Sequence, residues 1–333
     1  MRHTLAVFGQ TLLVLSGIWG TGFSQEAIPG LHEGWVTSIA WMDQLVVVGG
    51  GQSLLYRPGF VRAYDLKTGQ PIWALQGAES NVWDVACRPD GTTVVAATYD
   101  GKLLVWDVES RQLRATLSEH KGWVRSLAMS PDGSRLASCG EDGQVMLWNT
   151  ETWQVQQKLK AHDSTIYQVV FSPDGATIAT ASLDKTACLW DVSAQEQTPV
   201  LKLEGHEEAV WTVAFSPDGQ RLATAGADRK IRLWDRQGQM VRTLEGHRDW
   251  ISRVVFSPDG KQLAAADLGK TVKVWDIERG EVAGELAGFT GSVWCVSYSP
   301  DGSLLAAGSH KEGLRLWAVA DGKELFATMS HSQ

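Results

Sequence analysis

The chain has 333 residues, 44% of them hydrophobic, and a formal net charge of −8. That is enough apolar material for one continuous core. The acidic balance, with no basic run to override it, argues against nucleic acid and anionic membrane surfaces as general partners, because phosphate binding needs clustered Lys and Arg.

At the N-terminus, Arg2 and His3 precede an apolar run, Leu5-Ala6-Val7-Phe8 and Leu12-Leu13-Val14-Leu15, which Gln10, Ser16 and Gly17 interrupt. Small residues at Gly22 and Ser24 suit cleavage before Gln25, so residues 1–24 read as a secretory signal peptide. The expectation is export to the periplasm, the envelope or the medium, and a cytoplasmic location if the segment is no signal. The run is too short and too broken for a spanning helix, so no integral membrane segment follows cleavage. The four cysteines, Cys87, Cys139, Cys188 and Cys295, lack zinc-ribbon or haem-attachment spacing and read as buried free thiols.

Residues 31–330 carry a repeat. Its clearest copy runs from His206 to Asp235: a His, an alternating apolar run from Val210 to Phe215, the turn Ser216-Pro217-Asp218-Gly219, a second run, Asp228, and a third run ending in Trp234-Asp235. Period-2 alternation predicts strands with one face inward, and Pro-Asp-Gly is a turn because Pro presets φ and Gly accepts positive φ. The closing aromatic recurs at Tyr64, Trp106, Trp148, Trp190, Trp234, Trp275 and Trp317, at intervals of 42, 42, 42, 44, 41 and 42 residues. The turn recurs at Pro89, Pro131, Pro173, Pro217, Pro258 and Pro300.

The first unit is the least regular. It lacks Pro-Asp-Gly, and Gly49-Gly50-Gly51-Gln52-Ser53 through Pro58-Gly59 reads as a long surface loop, since no Gly-Lys-Ser/Thr follows to make a phosphate loop. The second has Ala78 in place of the His but keeps Asp100 and Trp106. Units three to five each carry four groups in phase: His120, Ser138, Asp142 and Trp148; His162, Thr180, Asp184 and Trp190; His206, Thr224, Asp228 and Trp234. The sixth keeps His247 and Trp275, with Ala265 and Gly269 where the hydroxyl and Asp fall. The seventh has Phe289, Ala307 and Lys311 there and keeps only Trp317. Loss of the set in units one, two, six and seven predicts a ring that is firmest in its middle.

A period of 40–45 residues, with Gly-His near its start and Trp-Asp near its end, resembles the WD40-repeat family in the regular form of its bacterial members. The resemblance spans residues 31–330 and implies an all-β fold: a seven-bladed β-propeller with four antiparallel strands per blade. It also implies that His, Ser/Thr, Asp and the Trp indole form a structural hydrogen-bond network within a blade. Three near-identical copies fit that role, whereas a catalytic triad would stand once. No catalytic constellation, nucleotide motif or metal-ligand cluster rises from the sequence, so the expectation is no enzyme, no cofactor and no metal.

By the same resemblance, function sits on the top face, where loops converge on the central channel. Every unit has an aromatic residue beside its first buried Val or Ile: Trp35, Trp83, Trp123, Tyr167, Trp211, Trp250 and Trp294, with Arg125, Arg253 and Asp84 alongside. An aromatic ring with a few charges has the composition of a contact surface. The expected role is a scaffold binding a protein or peptide partner there, as a monomer or as one ring of a larger complex. The alternative is an exported ligand- or glycan-binding propeller, hydrolytic in one version, that uses the aromatic mouth. Trp41, Trp73 and Trp153 are expected to pack on outer or irregular strands.

Overall fold

The computed structural model describes residues 34–52, 57–194 and 198–328. Residues 1–24, read as a signal peptide, lie outside the described residues.

Alternating apolar residues give strands that pair with their sequence neighbours. The described residues form seven four-stranded antiparallel sheets, each built from four consecutive strands. The first strands of the seven sheets are Trp35–Met42, Val82–Cys87, Val124–Met129, Ile166–Phe171, Val210–Phe215, Ile251–Phe256 and Val293–Tyr298. Each packs against the first strands of both neighbouring sheets, so together they encircle a central axis. This is a seven-bladed β-propeller.

The second and third strands of a blade are buried on both faces, which is why they read as short apolar runs bounded by turn residues. Apolar side chains from adjacent blades pool into seven clusters, one at each blade-to-blade interface. Leu136, Met146 and Trp148 join blade 2 to blade 3, for example, while Ala137, Val145 and Leu147 of the same strands join blade 3 to blade 4. No blade has a core of its own. Burial at about 25 cal/mol per Å² therefore stabilises interfaces rather than single sheets.

Closure follows the same rule. Val36, Val46 and Tyr64 of blade 1 pack with Cys295, Leu314 and Leu316 of blade 7. Both blades hold their own four strands, so among the described residues the ring closes on side-chain packing without exchange of a strand.

The Pro-Asp-Gly turns join first to second strands on one face, here the bottom face. In blade 5, Ser216 Oγ donates to Asp218 at 2.6 Å and accepts from Arg221 N at 2.9 Å, while Gly219 sits at φ +67°. Serine therefore precedes the turn in five blades because its hydroxyl bridges the loop to the next strand.

Two expectations are corrected. Gly49, Gly50 and Gly51 are not loop but the end of a strand, Leu45–Gly51, and are buried. A Cβ on Gly50 would stand 1.8 Å from the Trp35 carbonyl oxygen, and one on Gly51 would stand 1.6 Å from Asn81 Oδ1. The glycines allow close backbone approach rather than a flexible excursion. Trp41 lies on the first, inner strand of blade 1, where its indole donates to Ser297 Oγ of blade 7 at 2.9 Å and ties the closure.

Candidate functional site

In all seven blades the register between first and second strands slips immediately after the first anchoring Val or Ile. The residue left unpaired is Thr37, Trp83, Arg125, Tyr167, Trp211, Ser252 or Trp294. A bulge re-aims the side chain it carries, and repeated bulges explain how seven side chains leave the alternating pattern at one level of the ring. They divide by chemistry. Thr37 and Ser252 turn to the next blade, donating to the carbonyls of Val82 and Val293, both at 2.7 Å. The five large side chains gather at the channel mouth on the top face, opposite the Pro-Asp-Gly turns. Where the bulged residue is Thr, Arg or Ser, the residue before the anchor is a tryptophan: Trp35, Trp123 and Trp250.

These side chains form one connected series. His310 meets the edge of Trp35 at 4.1 Å, Trp35 stacks on Trp294 at 6.3 Å, and Trp294 meets Trp83 at 6.5 Å, bridging blades 7 and 2 past blade 1. Trp83 stacks on Trp123 at 6.4 Å, and Trp123 contacts Tyr99 at 4.0 Å. The Arg125 guanidinium lies over Trp83 at 4.6 Å, Trp123 at 4.7 Å and Tyr167 at 5.6 Å. Tyr167 then contacts Trp211 at 5.5 Å, and Trp211 contacts Trp250 at 5.2 Å. Trp250 is 47% exposed and the other ring members are half-buried. Arg253 is placed apart: it follows the bulge in blade 6, makes no cation–π contact among the described residues, and lines a cavity of about 450 Å³ with Gln168, Phe171 and Phe256 toward the bottom face.

Burial draws the Arg125 guanidinium below its ordinary pKa, against the opposing pull of Tyr167 and Glu141. Among the described residues it has no ion-pair partner. Its Nε and the indole N–H groups of Trp83 and Trp294 are enclosed without a hydrogen-bond acceptor. Burial also holds His310 below 6.5, assisted by Lys311.

Asp84 stands beside the ring in sequence, but it is a buried joint between three blades. It accepts from Ser38 of blade 1, from Ser126 and Leu127 N of blade 3 at 2.8 and 2.9 Å, and from its own neighbour Val85 N. The sequence signal was its position, two after the anchor, where Gln168 and Thr212 likewise accept from the main chain of the following blade.

Within blades 3, 4 and 5, the His ring bonds Asp through Nδ1 (2.9, 2.7 and 2.9 Å) and the hydroxyl through Nε2 (2.7 Å each). The Trp indole donates to the same hydroxyl at 2.8, 3.0 and 2.8 Å, from Trp148 to Ser138, Trp190 to Thr180 and Trp234 to Thr224. The rings of these histidines are enclosed, which suits a tie between loop, turn and strand. In blade 5, Arg232 adds a hydrogen bond to Asp228 at 2.6 Å.

The four-group set is incomplete in blades 2 and 6, as expected, but other ties stand in its place, and the carboxylate expected to be missing from blade 6 is present. His247 bonds Asp267 at 2.8 Å, a carboxylate two residues earlier than the position read as empty at Gly269, and Trp275 donates to His247 Nε2 at 3.4 Å. In blade 2, Ser80 and Thr98 hold Asp100 at 2.7 and 2.6 Å, and Trp106 donates to the Gln76 carbonyl. In blade 7, Phe289 and Arg315 pack against Trp317 instead. Among the described residues no cluster of His, Cys, Asp and Glu is arranged to hold a metal, and no helix is long and apolar enough to cross a membrane.

Comparison with known proteins adds two findings. The family described as WD domain, G-beta repeat, matches residues 69–107, 111–149, 153–191, 197–235, 238–276 and 280–318. Each match runs from the outer strand of one blade through the third strand of the next. Autophagy-related protein 16 of Arabidopsis thaliana is 36% identical over 90 residues, which are 27% of this chain and 17% of that protein. The match thus spans about a sixth of that relative.

Proposed function

The chain belongs to the WD40 repeat family, and from that premise we propose that it is a non-catalytic scaffold that binds a protein or peptide partner through its top face. WD40 propellers commonly serve protein interaction, and a fold alone does not name the site. The observation that supports the top face is the ring itself: seven register bulges at one level, five of them turning a large aromatic or cationic side chain to the mouth, and Trp250 left half-exposed at its rim. Aromatic and Arg side chains grouped at the centre of a patch are the composition of an interface hot spot. Export after cleavage before Gln25 belongs to the same proposal, and N-terminal sequencing of the mature chain tests it.

The test of the surface is affinity capture from host fractions by wild type and by a Trp211→Ala/Trp250→Ala variant, both shown to be folded by circular dichroism. A protein held by wild type and lost by the variant is the expected result. Equal capture by both places the interface elsewhere, and binding of a glycan or small molecule in place of any protein favours a ligand-binding propeller.

A further inference from the structure

The channel mouth has the outline of an aromatic cage for a cation, yet the cation in it is the chain's own. Arg125 is packed over Trp83, Trp123 and Tyr167, contributed by blades 2, 3 and 4. A guest ammonium group would have to displace or neighbour a guanidinium, which like-charge repulsion opposes. The mouth lacks something else. Indole N–H and guanidinium are donor-only groups. The three enclosed polar atoms without a partner in this cluster, Arg125 Nε, Trp83 Nε1 and Trp294 Nε1, are all of that kind. A buried polar group without its hydrogen bond costs about 1–3 kcal/mol, and three together demand an account.

Among the described residues no acceptor supplies the need: Asn81 Oδ1, likewise enclosed without a partner, faces Gly51 and is bonded to none of the three. Asp84, one residue beyond the bulged Trp83, is committed to Ser38, Ser126 and two main-chain N–H groups. Glu141 is engaged with Trp123 N at 3.3 Å. Among the described residues no carboxylate oxygen lies within ion-pair distance of Arg125, although Lys102, Lys158, Lys230 and Arg315 each have one.

We infer that the mouth takes a carboxylate carried by the partner's peptide segment, accepted by the Arg125 guanidinium while the surrounding rings cover the flanking residues. This rests on the top-face reading above. A guanidinium offers parallel N–H donors that match the two oxygens of a carboxylate, and stacking on rings fixes its plane. One cation in the ring suits a singly charged group. A phosphate would meet too few positive charges at the mouth of a chain with net charge −8. The carboxylate can come from an acidic side chain or from a chain terminus, and the two are separable.

Two random-peptide display libraries, one with a free C-terminus and one with the C-terminus joined to its carrier, are selected on the full chain. The expected outcome is enrichment of binders that wild type holds about ten-fold or more tightly than their carboxylate-to-amide counterparts, a difference of about 1.4 kcal/mol. Acidic side chains enriched in both libraries identify a side-chain carboxylate. Enrichment confined to the free-terminus library identifies a terminal one. Arg125→Met, folded by circular dichroism, should bind acid and amide peptides alike. Should that variant fail to fold, Arg125→Lys keeps the charge but not the fork, and the preference should shrink without vanishing. Binders with no carboxylate dependence, or a preference undiminished in the Arg125 variant, overturn the inference and leave the top-face reading standing. If neither library yields a binder that the Trp211→Ala/Trp250→Ala variant loses, both fall.

Discussion

Asp184 in blade 4 and His206 in blade 5 show how these polar sets make stability depend on pH. Burial alone would push the Asp184 carboxyl up, but hydrogen bonds from His162 and Thr186 outweigh it and hold the group at about 2, against an ordinary 3.8. A carboxyl depressed on folding contributes stability that is present above the ordinary value and is lost as pH falls through the folded one. Asp184→Asn should therefore unfold at lower urea than wild type at pH 7, by about 1–3 kcal/mol, with the gap closing between pH 4 and pH 2. A gap that stays constant over that range would show that the charge is not what Asp184 contributes. Burial holds His206 below its ordinary 6.5 despite Asp228. The unfolded chain then takes that proton first, so this residue lowers stability as pH falls below about 6.5. The glycines allow a sharper trial. Gly50→Ala forces a Cβ to 1.8 Å from the Trp35 carbonyl and should cost more than about 2 kcal/mol, whereas Gly284, with nothing within 4 Å, should accept Ala within about 0.5 kcal/mol. Equal urea midpoints for the two variants would contradict the close-packed strand at Gly49–Gly51.

At the scale of the blade, the repeat period and turn chemistry made the strands legible, because Ser-Pro-Asp-Gly and Trp-Asp act locally and in phase. The bulge was half legible. Every unit shows an aromatic beside its anchor, but only the register reveals why Trp83, Arg125, Tyr167, Trp211 and Trp294 take the same place while Thr37 and Ser252 bond onward to the next blade. Asp267 was hidden because spacing was counted from blades 3 to 5, and the fold accepts a carboxylate two residues earlier as long as it reaches His247 Nδ1. Gly49–Gly51 misled because glycine marks both loops and crowded strands, and only the neighbours decide. Within blade 3, the Ser138 hydroxyl is shared by His120 and Trp148. Ser138→Ala should cost about 2–3 kcal/mol, and combining it with Trp148→Phe should cost about 1 kcal/mol less than the sum of the single changes, since both remove the same bond. Strict additivity in urea unfolding would show that the two groups do not share it.

Across the whole molecule, seven interfaces with no private core make the propeller one cooperative ring, and its top face collects what each blade contributes singly. One ring contact spans three blades, and among the described residues the cation over the rings has no counter-ion. The family and the circular architecture could be read from the sequence because repetition averages out local ambiguity. The side chains that meet across the mouth could not, since Trp83 and Trp294 are neighbours only after the ring closes. The central claim is that this face carries the partner, and site-specific photocrosslinking in the native host tests it most directly. A photoreactive residue would replace Trp250 or Leu183, 47% and 44% exposed, the latter in the top-face turn between the second and third strands of blade 4, with controls at Val241 on an outer strand and Pro173 in a bottom-face turn. The account predicts a partner adduct from Trp250 or Leu183 and none from Val241 or Pro173. An adduct formed only from Val241 or Pro173 would contradict it.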